Sequence, residues 1–351
     1  MNWGVSHSAS RASRIRGCLL GGAVGDALGA GIEFQSIDQI RQRYGRLGVT
    51  GFTAAYGQPN AITDDTQLTL FTVEALLGGD DVELVDRLWA RYRAWACYQD
   101  WGAATSEPSQ PVSPLERDPA MTAIRAPGNA CLSGLRSGRR GTVDAPANRQ
   151  SKGCGAVMRA APFGLAADSP EQAWSEAIAG SVLTHGHPSG VLSSAAFAWI
   201  IRSLVAAMPL VDAVATAMAR LEQEGDPGAE CLRALRQGVE LAAAGAPTPE
   251  RLELLGGGWT GEEALAIAVF AALSEPSHLE STGSDSRDVL GSALLVAVNH
   301  SGDSDSTGAI CGNLLGAALG VEAIPVEWGS EVEAASLVLD YADQLSARFP
   351  A

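Results

Sequence analysis

The stretch GCLLGGAVGDALGAG, residues 17–31, sets glycine at positions 17, 21, 25 and 29, four residues apart. Glycine inside a helix costs about 1 kcal/mol against alanine, so a helix that repeats it along one face needs compensation. A second helix packed backbone to backbone along the i, i+4 ridge would supply it. A partner exists near the other end of the chain. GAICGNLLGAALG, residues 308–320, repeats the spacing with Gly308, Gly312, Gly316 and Gly320. The bland alternative is that an Ala- and Gly-rich chain carries such stripes by drift. If the two stripes pack antiparallel, the C-terminal end of the first meets the N-terminal end of the second. Glu33, just beyond the first stripe, would then approach Asp303 and Asp305.

Outward from the stripes, helical periodicity recurs. In TDDTQLTLFTVEALLGG (63–79), Leu68, Phe71, Ala75 and Leu76 share a face, and Gly78-Gly79 reads as a C-cap. VELVDRLWARYRAWACY (82–98) continues with Val85, Leu88, Trp89, Tyr92 and Trp95, its tryptophans read as core. Ala- and Leu-rich runs at 170–184, 211–224, 261–275 and 331–349 follow the same pattern. VTGFTAAYG (49–57) is a weak strand candidate. Stretches 102–119, 137–153 and 274–288 are rich in Pro, Gly, Ser or charge and read as loops. The class is mainly α, in one domain over 1–351, with residues 1–14 as a flexible lead.

Composition sets outer limits. A chain of 351 residues with 46% apolar and 18% charged side chains is globular. A net charge of −16 argues against a nucleic-acid partner, which needs a basic footprint. The apolar stretch 193–219 is broken by Arg202, Pro209 and Asp212, so it reads as buried helices and not as a membrane span. Six cysteines without a CxxC pair, and no apolar leader before Gly17, point to reduced thiols and a cytoplasmic setting.

Two acidic clusters carry the chemistry: Thr63, Asp64, Asp65, Thr66, and Asp303, Ser304, Asp305, Ser306. Taken singly, each reads as a helix cap at the positive end of a dipole. Together they supply more oxygens than capping needs. Carboxylate and hydroxyl oxygens are hard ligands suited to Mg²⁺, Mn²⁺ or Ca²⁺, and facing carboxylate pairs repel unless cations lie between them. Neither cluster continues as an EF-hand loop. SKGCGAVMRAAP (151–162) places Gly153 and Gly155 at a loop-to-helix junction, where backbone N–H groups can hold a phosphate. Most such turns are ordinary. In THGHPSG (184–190), His185 reads as a cleft residue and His187 as structural, since no Cys/His array suggests zinc. Asp26 reads as a carboxylate bonding nearby backbone, and Arg159 as a structural ion pair or a contact.

In order along the chain, GCLLGGAVGDALGAGIEF, ITDDTQLTL, KGCGAVMRAAPFGL, THGHPSG and NHSGDSDSTGAICGNLLGAALG resemble the ADP-ribosylhydrolase family. That family holds the dinitrogenase-reductase-activating glycohydrolases and the ADP-ribosylarginine hydrolases. The resemblance runs from about Gly17 to Val321. It implies an all-α, compact orthogonal helical bundle with two Mg²⁺ or Mn²⁺ ions in a binuclear cleft. The implied metal ligands are Thr63, Asp64, Asp65, Asp303, Asp305 and Ser306. Glu33, Asp64 and Asp303 would be catalytic, and Asn129, Gly153, Cys154, Gly155, Met158 and His185 would contact ADP-ribose. The implied reaction is hydrolysis of the glycosidic bond between ADP-ribose and a modified side chain of a protein substrate. GDSDS resembles the arginine-directed members more than the serine-directed ones. Serine-linked or O-acetyl-ADP-ribose, a non-catalytic ADP-ribose binder and a binuclear phosphohydrolase are the competing readings. A cognate ADP-ribosyltransferase or toxin system is the implied wider partner, in a bacterial cell.

Overall fold

The computed structural model describes residues 9–99, 113–274 and 286–350. Among these residues the regular structure is helical. The first helices are α1 (Arg11–Gly29), α2 (Ile37–Tyr44), α3 (Asp64–Leu77), α4 (Leu84–Tyr98), α5 (Pro119–Thr122) and α6 (Asn129–Arg136). The middle of the chain forms α7 (Ala161–Ala166), α8 (Pro170–Ser181), α9 (Pro188–Val205), α10 (Leu210–Gln223), α11 (Ala229–Ala243) and α12 (Pro249–Leu252). The last five are α13 (Gly261–Leu273), α14 (Ser286–Val298), α15 (Ser304–Leu319), α16 (Val326–Glu331) and α17 (Ala335–Arg348).

The glycine stripes meet, and they meet antiparallel. A Cβ placed on Gly17, Gly21 or Gly25 would lie 2.4, 2.5 or 2.0 Å from the carbonyl oxygens of Gly316, Gly312 and Gly308 respectively. The fourth rung breaks the symmetry. Gly29 faces the backbone of Ser304 and Asp305, at the point where α15 begins. No side chain fits at any rung, so the two backbones touch directly. Asn313 Nδ2 donates to the Cys18 carbonyl at 2.7 Å and staples the pair from the side.

Around this pair the helices sort by burial. α1, α13 and α15 are buried on nearly every face, as expected for helices apolar all round. α4, α10 and α11 bury one stripe each, for example Leu88, Tyr92 and Trp95 on α4. Trp95 is fully buried, whereas Trp89 is only half-buried against the core. α9 is long and apolar enough to cross a membrane by length and composition, but most of it is buried inside this fold. The principal core runs from Ile15 to Leu345, and a smaller cluster gathers Ala242, Leu252, Leu255, Ala266, Ile267 and Phe270.

Several expectations are corrected. The strand at 49–57 does not form. Ala55 and Gln58 make an isolated bridge around Tyr56 and Gly57, both at positive φ, with no neighbouring strand to extend it. Residues 11–14, expected in a loose lead, form the first turn of α1. Ser10 caps that turn, and Arg14 is buried against the Ala317 carbonyl at 2.9 Å. Gly78 is the C-cap of α3, as expected, at a φ of −58°, and Arg87 Nε donates to the Ala75 carbonyl at 2.8 Å. The run 331–349 is two elements, because Ala334 turns left-handed at φ 61° between α16 and α17. Of the loops, 137–153 is irregular as expected, while most of 102–119 and 274–288 lies outside the described residues. So do His7 and His278.

Candidate functional site

The N-terminus of α3 is capped from below. Asp26, fully buried on α1, accepts from the Thr63 N–H at 3.0 Å, the Thr66 N–H at 3.1 Å and the Thr66 hydroxyl at 2.5 Å. The Thr63 hydroxyl accepts from the Asp65 N–H at 3.3 Å. With those donors satisfied, Asp64 and Asp65 are not needed as caps. Asp64 Oδ2 accepts one bond, from the Gly128 N–H at 3.3 Å. Asp65 Oδ1 is buried and has no hydrogen-bond partner.

The second cluster opens α15. Asp303 holds the N-cap position without capping through its side chain. Its Oδ2 instead accepts from the Cys154 thiol at 2.8 Å, and Asp305 Oδ1 accepts from the Ser306 N–H at 3.0 Å. The loop before it is fixed by His300, whose Nε2 lies 2.9 Å from the Thr307 hydroxyl. Gly302 has φ 136°, and a Cβ there would strike the Gly257 carbonyl at 2.1 Å, so only glycine fits.

Glu33 arrives from the end of α1, its N–H bonded to the Gly29 carbonyl at 3.0 Å. Oxygens of Glu33, Asp303 and Asp305 lie within 4.8 Å of one another. Glu33 Oε2 is a second buried oxygen without a partner. Burial raises the proton affinity of Asp26, Glu33, Asp64, Asp65 and Asp303, and the neighbouring Asp305 charge raises each further. Burial also raises Asp305 itself. Like charges packed this closely repel, and orphaned oxygens cost desolvation energy without return. Divalent cations answer both, and the donor set of carboxylate and hydroxyl oxygens is the one hard cations take. The residues present therefore fit the metals that the sequence resemblance implies.

These groups face a cleft of about 420 Å³. Glu33, Asp64, Asp65, Asp303, Asp305 and Ser306 line it, as do Asn129, Gly153, Cys154, Gly155, Met158 and His185. Thr63 does not; it is fully buried, and its hydroxyl donates to Asp65 Oδ2 at 3.4 Å. Gly153 leads into a single 3-10 turn, Cys154–Ala156, and not into a full helix. Gly155 is needed for closeness: a Cβ there would meet Cys131 Sγ at 2.8 Å and His185 Cε1 at 3.1 Å.

His185 is held neutral, its pKa brought down to about 3 by burial and by Arg159. Arg159 Nη2 donates to the Thr184 hydroxyl at 2.7 Å, and that hydroxyl lies 2.8 Å from His185 Nδ1 and 3.4 Å from the Ser181 carbonyl. Arg159 is thus structural, held by neutral acceptors and by the Tyr92 ring at 4.4 Å. His187 caps α9 through Nδ1, which accepts from the Ser189 N–H at 3.2 Å.

Sequence reading missed several lining residues, the aromatic pair Phe34 and Trp259 among them. Their rings stack with centroids 5.1 Å apart and planes at 22°, and both are exposed at the rim. Neither falls in a helical period. An aromatic residue directly after Glu33, and another after the run Gly256-Gly257-Gly258, were the only available signals.

A family profile described as ADP-ribosylglycohydrolase matches residues 7–351. The chain is 32% identical over 178 residues to the ADP-ribosyl-[dinitrogen reductase] glycohydrolase of Rhodospirillum rubrum, a match covering 50% of this chain and 52% of that protein. It is 34% identical over 154 residues to an uncharacterized protein of Archaeoglobus fulgidus, covering 43% of this chain and 42% of that one. These alignments span about half the length of each curated relative. A solved structure titled ADP-ribosylglycohydrolase-related protein complex superposes with a TM-score of 0.65 at 25% identity, over 96% of this chain and 98% of that one. The shared fold is the all-α bundle described above. With the profile extending over nearly its whole length, this chain belongs to the ADP-ribosylglycohydrolase family, a family of enzymes.

Proposed function

We propose that the chain is a metal-dependent hydrolase that releases ADP-ribose from modified arginine side chains of proteins, reversing mono-ADP-ribosylation. The observation that carries this reading is the convergence of Glu33, Asp64, Asp65, Asp303 and Asp305 on one cleft, with buried carboxylate oxygens left unpartnered. Thr63, Asp64, Asp65, Asp303, Asp305 and Ser306 are the residues that would hold two Mg²⁺ or Mn²⁺ ions. Such ions supply Lewis acidity to the ribose hydroxyls. The remaining chemistry falls to the chain's own groups. Asn129, Gly153, Cys154, Gly155, Met158 and His185 bind and orient ADP-ribose, with His185 present as a neutral imidazole. A carboxylate oxygen of Glu33, Asp64 or Asp303 accepts a proton from water as the water oxygen bonds to the anomeric carbon. The C–N bond breaks, its electron pair passes to the guanidine nitrogen, and that nitrogen takes up the proton the carboxylate received from water.

The arginine linkage is supported by the serine-bearing GDSDS motif (302–306), and a protein as the ADP-ribose carrier by the name of the Rhodospirillum relative. All six cysteines are free thiols, which supports a cytoplasmic setting. An ADP-ribosylated protein is the proposed substrate, and a cognate ADP-ribosyltransferase or toxin system the proposed counterpart.

The test is release of free ADP-ribose from an arginine-ADP-ribosylated protein, with Mg²⁺ and again after chelation. Release that stops on chelation and returns with Mg²⁺ is the expected result. Release indifferent to chelation would remove the metals from the reaction. Release only from a serine-linked substrate would move the linkage and leave the hydrolase.

A further inference from the structure

The backbone of Ile62, one residue before the first acidic motif, is gripped at both its N–H and its carbonyl. Arg125 Nη1 donates to its carbonyl oxygen at 2.9 Å, and the Ile62 N–H donates to Glu333 Oε2 at 3.1 Å. The two side chains close on each other as a fork, Nη1 to Oε2 and Nη2 to Oε1, both at 3.0 Å. Arg125 is 5% exposed and its guanidinium lies 5.2 Å from the centre of the Tyr56 ring. The backbones of the same residues join in. The Asp64 N–H donates to the Arg125 carbonyl, and the Glu333 N–H to the Asn60 carbonyl, each at 3.2 Å. Three residues past Arg125, the Gly128 N–H reaches Asp64 Oδ2 at 3.3 Å. Neither the Arg125 nor the Glu333 side chain lines the cleft.

This arrangement counters a definite load. Asp64 and Asp65 face Asp303 and Asp305, so the start of α3 is pushed away from α15 by like charge. Asp26 holds α3 from within, but the chain entering it needs an outer hold as well. A forked guanidinium–carboxylate pair is directional and stiff, and this one holds both backbone hydrogen-bonding groups of a single residue, Ile62. The turn at Ala334 that splits α16 from α17 is what leaves Glu333 pointing there.

We infer that Arg125 and Glu333 are positioning residues, which fix where Asp64 and Asp65 stand relative to Asp303 and Asp305. They act on metal affinity and turnover and not on substrate binding. The inference rests on the hydrolase reading above and adds to it a segment beyond the recognised motifs.

The test uses the full chain with Mn²⁺ as probe. Wild type, Arg125→Lys, Glu333→Gln and the double variant Arg125→Met/Glu333→Gln are titrated calorimetrically, at a temperature where circular dichroism shows each to be folded. Lysine keeps the charge and loses the fork. Glutamine keeps an acceptor for the Ile62 N–H and loses the charge. The double variant leaves no unpaired buried charge, so it stays informative if a single variant does not fold. Mn²⁺ binding is expected to weaken about tenfold or more in each variant, with kcat lowered and KM little changed. Wild-type Mn²⁺ affinity in folded variants, with only the melting temperature reduced, would overturn the proposal and leave an ordinary structural ion pair. A wild-type chain that binds Mn²⁺ but releases no ADP-ribose would remove the hydrolase reading, and the calorimetric comparison would still decide the clamp. A wild type that binds no Mn²⁺ would remove both.

Discussion

Asp26 and Asp303 sit at the same acidic centre yet carry opposite duties. Asp26 spends its oxygens on Thr63 and Thr66, so its loss leaves buried donors unpaired. Asp26→Ala is expected to destabilise the fold by about 1–3 kcal/mol, read from urea unfolding, and to weaken Mn²⁺ binding because α3 loses its inner hold. Asp303 caps nothing through its side chain, which accepts from the Cys154 thiol and meets Asp305 and Ser306 within the cluster. Asp303→Asn therefore removes a repelling charge at little structural cost. The metal-free melting temperature should hold or rise, while turnover falls by at least about 100-fold, the upper range for groups that merely support a ligand. Asp65→Asn should behave alike. A fall in stability for Asp303→Asn as large as that for Asp26→Ala would show that the two duties are not separate.

At the level of helices, the α1–α15 seam is the least tolerant contact in the fold. In Gly312→Ala the new methyl would meet the Gly21 carbonyl at 1.9 Å, and in Gly25→Ala the Gly308 carbonyl at 2.0 Å. Both belong to backbone, which has no rotamer to yield. Each substitution is expected to cost about 1–3 kcal/mol or more and to lower activity, since parting the helices parts Glu33 from Asp305. Gly51→Ala is the control: its Cβ would meet only Trp328 Nε1, at 3.9 Å. Equal melting temperatures for Gly312→Ala and Gly51→Ala would contradict the seam as described. This seam was legible in sequence because a four-residue glycine period is a helical signal, and two copies of it define a pair. The placement of Glu33 beside Asp303 and Asp305 followed from that pairing alone. Asp26 was legible as a carboxylate bonding backbone, but its partners Thr63 and Thr66 belong to another helix and its cap. The Arg125–Glu333 fork joins positions 208 residues apart, and no local spacing marks one arginine and one glutamate as partners. Phe34 and Trp259 were hidden for the same reason: they sit in turns, where side-chain direction has no period.

Taken as a whole, the molecule stores like charge in a dry place, and its stability should depend on pH in an unusual direction. Asp26, Glu33, Asp64, Asp65, Asp303 and Asp305 all have raised pKa values in the metal-free fold. In the unfolded chain they ionise near pH 4. Below that, both states are protonated and nothing is lost. As pH rises toward the folded values, only the unfolded chain sheds its protons, so folding stability drains away. His185 and His300, lowered to about 3 and about 4, act oppositely below about pH 6.5, but two groups oppose six. Between pH 5 and 8 the chelated protein is expected to lose melting temperature as pH rises, and Mg²⁺ should remove most of that loss. Melting curves that coincide with and without Mg²⁺ across this range would rule out cation binding at the cluster. The seam has one more consequence, and it concerns time. Its two sides are far apart in the chain, Cys18 and Asn313 being separated by 295 residues. At about 5–20 residues per second of synthesis, the bare glycine ridge of α1 waits roughly 15–60 s before α15 exists to cover it. During that interval the nascent chain holds Glu33, Asp64 and Asp65 without Asp303 or Asp305. Activity therefore cannot precede synthesis of α15, and until then the glycine ridge of α1 has no partner to cover it.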